Sequence, residues 1–161
     1  AIAQGNFIPE HYQEVADTGR RVSSVIMTYQ KGVPTLVEYT SPKEAGPDAP
    51  DPATQGGTLD PLSAVFNLLR NVPAEEACAL DMAIFDGKRR TRIATWAKST
   101  ENGLPVCGGI YQRLQGFTAK EIARHTEFNL TLTYEAAGNG QLRVARVAFD
   151  SLYGVASVDR Q

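Results

Sequence analysis

The side chains of this 161-residue sequence with chemistry to offer beyond structural service are two cysteines, two histidines and one run of basic residues. Cys78 and Cys107 are its only cysteines and stand 29 positions apart. That spacing excludes CxxC redox chemistry. With His11 and His125 remote from both, it also leaves no Cys/His set of zinc-like spacing. Three readings remain: a disulfide, two free thiols, or one catalytic thiol beside a bystander. A nucleophilic cysteine needs a nearby base and a depressed pKa, and two isolated histidines supply no argument for either. The hairpin signal between the cysteines favours a structural bridge, which would imply an oxidising compartment. Closing a loop of about 30 residues is worth roughly 3 to 4 kcal/mol on chain-entropy grounds.

The basic run is Phe85-Asp86-Gly87-Lys88-Arg89-Arg90. On a strand leaving the Asp-Gly turn, period-two geometry puts Lys88, Arg90 and Arg92 on one face. Like charges in a row repel, so they need carboxylates, solvent or an anion opposite them. An anion would be a phosphate or carboxylate, such as a lipid headgroup or a glycan acid. A hydrolase or transferase acting on an anionic envelope polymer would use such a face to hold it. The simpler reading is a solvated edge strand, where cations discourage sheet-to-sheet aggregation. Other catalytic patterns are missing. There is no GxSxG elbow, Asp48 and Asp51 lack EF-hand spacing, and Gly138-Asn139-Gly140 lacks the lysine and helix of a phosphate loop. No catalytic residue, metal or cofactor is expected.

The elements that must position these residues are mostly strands. Hydrophobic residues make up 42% of the sequence and charged residues 21%, and 16 Lys+Arg oppose 18 Asp+Glu. The near-neutral balance argues against nucleic acid as a partner. No apolar run reaches the roughly 18 residues of a membrane-spanning helix. The length suits a single domain over 1–161. The chain opens at Ala-Ile-Ala with no initiator Met, which reads as a processed or truncated product.

Strand signals occupy 7–18, 22–29 and 33–39, with a turn at Gln30-Lys31-Gly32. Residues 40–58 form a long Pro/Gly-rich surface loop. Asp60 as N-cap and Pro61 at the first helical position open one short amphipathic helix over about 60–71, stopped by Pro73. Leu62, Val65, Phe66 and Leu69 make its apolar stripe, which is expected to cover the sheet, with Leu62, Phe66 and Leu69 lining an apolar cavity. From Leu80 the pattern is nearly all strand. Asp86-Gly87 suggests a type I′ hairpin, and Glu101-Asn102-Gly103 and Gly138-Asn139-Gly140 mark further turns. Thr118 to Thr126 fits a capped helical turn and an extended loop equally well. Residues 127–135 alternate, with Phe128, Leu130, Leu132 and Tyr134 on one face. A last strand is expected at 153–158. About eight strands and one clear helix predict a mainly β fold, a curved antiparallel sheet or half-open barrel with the helix across it.

Five motifs occur in order: Leu59-Asp60-Pro61-Leu62-Ser63-Ala64, then Cys78, then Phe85-Asp86-Gly87-Lys88-Arg89-Arg90, then Cys107-Gly108-Gly109-Ile110-Tyr111, then Gly116-Phe117. In this the chain resembles a bacterial exported family known as domain of unknown function 3108, over about Phe7 to Asp159. The resemblance implies a periplasmic or envelope location, with the export signal and further strands ahead of the part seen here. It also implies a bridged cysteine pair, and no activity. Together with the strand-rich pattern and the covering helix, the expectation is a non-enzymatic envelope protein that binds a lipid-like ligand or an envelope partner. A purely structural interaction module is the other non-enzymatic alternative.

Overall fold

The computed structural model describes residues 2–3, 6–41, 46–151 and 154–161. In chain order the strands are β1 (Ile2–Ala3), β2 (Asn6–Phe7), β3 (His11–Asp17), β4 (Val22–Gln30) and β5 (Val33–Thr40). Helix α1 (Pro61–Leu69) and β6 (Val72–Pro73) follow, then β7 (Asp81–Phe85), β8 (Arg90–Glu101) and β9 (Leu104–Gln115). The chain ends with α2 (Ala119–Arg124), β10 (Glu127–Gly138), β11 (Gln141–Ser151) and β12 (Gly154–Asp159). The last expected strand is β12; Tyr153 and residues 42–45 of the Pro/Gly-rich segment lie outside the described residues.

Strands β12-β11-β10-β9-β8-β7 form one antiparallel sheet, with β6 pairing β11, and this sheet curls into a half-barrel. A separate sheet holds β3-β4-β5, and β1 pairs β2. Register shifts interrupt the β8/β9 ladder at Arg90/Thr91 and Ala97/Ser99, and the β10/β11 ladder at Thr133/Tyr134 and Ala136/Gly138. Each bends its strand and raises the local twist, which curves long strands of this kind.

Three hairpins use the two-residue turns their sequences predict. Lys31-Gly32, Asn102-Gly103 and Asn139-Gly140 all have positive φ at both positions, as type I′ chemistry requires. The Asp86-Gly87 hairpin differs. Asp86 is not among the residues of positive φ, and its Oδ1 instead accepts from the backbone N–H groups of Lys88 at 2.9 Å and Arg89 at 2.7 Å. The aspartate side chain has captured the turn, so Lys88 lies in the loop and β8 starts at Arg90.

Both helices have the caps expected for them. Asp60 Oδ1 accepts from Ser63 N–H at 2.9 Å at the start of α1, and Thr118 with Glu121 forms a full capping box on α2. Helix α1 ends at Leu69 because Arg70 is extended.

Cys78 and Cys107 are joined in a disulfide with Cα atoms 5.2 Å apart. Cys107 is fully buried among Val72, Leu130, Leu132, Tyr134 and Val144. The bridge therefore ties the segment after α1 to the centre of the large sheet. A second cluster joins the two sheets: Phe85, fully buried at the end of β7, packs with Tyr12, Val25, Met27 and Tyr29 of the small sheet. The segment before α1 is also fastened. Gly57 N–H donates to Gly32 O, Leu59 N–H donates to Ala83 O, and Phe85 N–H donates to Leu59 O, each at 2.9 Å. Gln55 and Thr58 are buried there.

Candidate functional site

Pairing across the large sheet brings its apolar residues into rows. Met82 faces Ile93, Ile93 faces Tyr111, and Tyr111 faces Phe128. In the next row Thr95 faces Gly109, Gly109 faces Leu130, and Leu130 faces Phe149; beyond it Cys107, Leu132 and Val147 line up. Residues directly opposite one another project to the same side of a sheet, so all of these share one face. Leu68 of α1 packs on that face, against the clusters that hold Ile93, Leu130 and Met82.

The rows and the helix do not close on one another completely. A cavity of about 480 Å³ remains, lined by Leu68, Ile93, Tyr111, Phe128, Leu130, Val147 and Phe149 together with Arg113, Asp150 and Ser151. A further 280 Å³ shares Leu68, Ile93 and Tyr111 and passes under Pro61, Ala64 and Val65 to Phe117 and Arg89. The two form one trough with walls of aliphatic and aromatic carbon. Its size falls in the range of small-molecule sites, roughly 300 to 1,000 Å³.

Polar groups are confined to a few positions along it. The Arg113 guanidinium carbon lies 5.0 Å from the Phe128 ring centroid and 5.2 Å from that of Phe117. Its Nη1 donates to Glu121 O at 2.9 Å and to His125 O at 3.0 Å, so a cation meets the carbonyl end of α2. Arg89 stacks over Phe117 at 5.0 Å and pairs with Glu121 at 3.2 Å. Burial alone would raise the Glu121 pKa. The hydrogen bonds from Thr118 and the charges of Arg89 and Arg113 outweigh it and hold the carboxyl below its usual range. Tyr111 titrates above its ordinary value because it is buried, although a hydrogen bond with Thr91 and the charge of Arg113 pull the other way. It is a neutral phenol in the trough wall.

Of the basic row expected at Lys88, Arg90 and Arg92, β8 keeps Arg90 and Arg92 on one face and loses Lys88. Lys88 sits in the hairpin loop with Nζ 5.2 Å from the Tyr39 ring centroid. The extra residue of the register shift after Arg90 is Leu114 of β9, and β8 pairs β7 without a break through Arg90, Thr91 and Arg92. Arg90 Nη1 donates to Gln55 at 3.0 Å, and Arg92 makes a two-pronged bond to Asp81 at 2.8 Å on each arm. That bond lowers the Asp81 pKa. The apolar stripe of α1 is turned the other way from the expectation. Leu62 is 64% exposed, Phe66 55% and Leu69 36%, while Ala64 and Leu68 face the sheet. The small Ala64 lets the helix backbone approach Met82 and Ile84 closely, and the larger residues are left outside, where Phe66 meets Phe7 edge-on at 4.9 Å. The alternation expected on β10 puts Phe128 and Leu130 on one face, which lines the trough, whereas Leu68, Ile93, Tyr111, Arg113, Val147 and Phe149 carry no such signal in the sequence.

Residues 1–102 match the family described as protein of unknown function DUF3108. The chain belongs to this family. The matched span runs from β1 to the end of β8 and takes in α1, Cys78 and the 86–89 turn. Of the trough, the DUF3108 match holds the lining from α1, β7, β8 and the 86–89 turn, while the walls on β9, β10 and β11 follow it in the chain. Neither the curated proteins nor the solved structures contain a match to the chain.

Proposed function

We propose that this DUF3108 protein is a non-enzymatic binder of an apolar, lipid-like ligand in the bacterial envelope. The observation that carries this reading is the trough of about 480 Å³ and its extension under α1, walled by carbon from α1 and five neighbouring strands. An apolar cavity of this kind forfeits dispersion contacts along its walls, and a hydrocarbon chain restores them. The disulfide supports an oxidising location such as the periplasm. No helix among the described residues is long and apolar enough to cross a membrane.

The test is native mass spectrometry of protein exported to a bacterial periplasm and purified without detergent. The expected result is a retained mass that organic extraction removes and that is identified as a lipid. Protein that retains no such mass, and takes up none when lipid is offered, would contradict the reading.

A further inference from the structure

We infer that a polar cleft adjoining the trough is the head-group site of the same ligand, and that the ligand is an amphiphile with an anionic head of phosphate or carboxylate type. The inference rests on the trough reading above. The cleft holds about 560 Å³ between the β3–β4 end of the small sheet and the 86–89 turn. Asp86 and Arg89 line this cleft and also the inner end of the apolar trough. The apolar channel and the polar cleft therefore share the wall made by Asp86 and Arg89, and a chain with a charged end requires neighbouring apolar and polar spaces of this kind.

The charges of the cleft favour an anion. Its cations are Arg20, Arg21 and Arg89, and its carboxylates are Glu14 and Asp86. Both carboxylates already have protein donors. Asp86 Oδ1 accepts from two backbone N–H groups of its own turn, and Glu14 accepts from the Tyr12 hydroxyl. The arginines are less committed. Among the described residues the side chains of Arg20 and Arg21, exposed in the turn between β3 and β4, make no hydrogen bond or ion pair. Arg89 uses Nη2 for Glu121, leaving Nη1 without a partner among the described residues. A phosphate or carboxylate matches the forked donors of arginine, whereas a neutral hydroxyl gains only an ordinary hydrogen bond.

The experiment titrates the delipidated full chain calorimetrically with decyl phosphate, decanol and inorganic phosphate, each below its aggregation concentration. Decyl phosphate is expected to bind about tenfold or more tightly than decanol. Inorganic phosphate is expected to bind far more weakly than decyl phosphate. The double variant Arg20→Gln/Arg21→Gln changes only exposed side chains of a turn. It is expected to weaken decyl phosphate about tenfold and to leave decanol unchanged. Equal affinities for decyl phosphate and decanol would overturn the head-group site while leaving the trough reading standing. Inorganic phosphate binding as tightly as decyl phosphate would also overturn it, by assigning the cleft to a free anion. Failure of both decanol and decyl phosphate to bind would remove the trough reading and this inference together.

Discussion

Leu130 lies over Gly109, the residue it faces across the β9/β10 ladder: a Cβ built on Gly109 would stand 2.6 Å from Leu130 Cδ1 and 2.9 Å from the backbone oxygen of Ala94. The missing side chain gives Leu130 its place in the trough wall. Leu130 can rotate away from an added methyl, but the Ala94 carbonyl is part of the β8 ladder and cannot. Gly109→Ala is therefore expected to cost about 1 to 3 kcal/mol, the usual range for overpacking. A urea unfolding midpoint equal to that of the wild type would refute this packing.

The disulfide is expected to be a main source of stability. Cys78 holds a left-handed backbone at φ 62°, and Cys107 is at the centre of the largest cluster. The double variant Cys78→Ser/Cys107→Ser should lose roughly 3 to 4 kcal/mol by the chain-entropy estimate for this loop, and more if the buried serine at 107 lacks a partner. Equilibrium urea denaturation measures it. A loss under about 1 kcal/mol would mean that the bridge adds little to a sheet already held by its core.

The two faces of α1 should respond in opposite ways. Leu68→Ala removes carbon that packs against both the cluster holding Leu130 and that holding Met82, and is expected to destabilise by about 2 kcal/mol. Leu62→Ser changes a side chain that is 64% exposed and should stay within about 0.5 kcal/mol of wild type. The reverse order would place the original stripe, not Ala64 and Leu68, against the sheet.

That reversal marks where the sequence stops being legible. Periodicity identifies the larger apolar residues of a helix, but contact is decided by how closely its backbone can approach, and Ala64 wins over Phe66 on that ground. The same limit applies at the 86–89 turn. Asp-Gly is strong type I′ chemistry, yet the Asp86 carboxylate satisfies two backbone donors and sets a different turn, which takes Lys88 out of the basic row. Where only local backbone preference matters, reading was straightforward: Lys31-Gly32, Asn102-Gly103 and Asn139-Gly140 all turn as their residue types require. The alternation of Phe128, Leu130, Leu132 and Tyr134 was equally visible. The trough they help to build was not, because bulges at Ala97/Ser99 and Thr133/Tyr134 reset the register that the tight turns establish, and β9 reaches β10 through α2 rather than through a tight turn.

Glu121 ties stability to pH through the position of α2. Its folded pKa is held below the ordinary value of 4.5, with burial outweighed by the bonds from Thr118 and the charges of Arg89 and Arg113. A depressed folded pKa contributes stability that is fully present above the unfolded value and is lost as pH falls through the folded one. Glu121→Gln is thus expected to lower Tm at pH 7 and to approach wild type as pH drops below 4.5. Parallel Tm profiles for the two proteins from pH 7 to pH 3 would contradict the coupling.

The central claim is that the trough takes an apolar ligand, and it is tested most directly by titrating the delipidated protein with the neutral fluorophore N-phenyl-1-naphthylamine. The same titration is run on Val147→Trp, which places a larger ring in the trough wall on β11. The wild type is expected to bind one fluorophore per chain with a saturable rise in emission, and the variant to bind it about tenfold or more weakly with its circular dichroism unchanged. A wild type with no saturable binding, or a folded variant that binds as tightly as wild type, would contradict the claim.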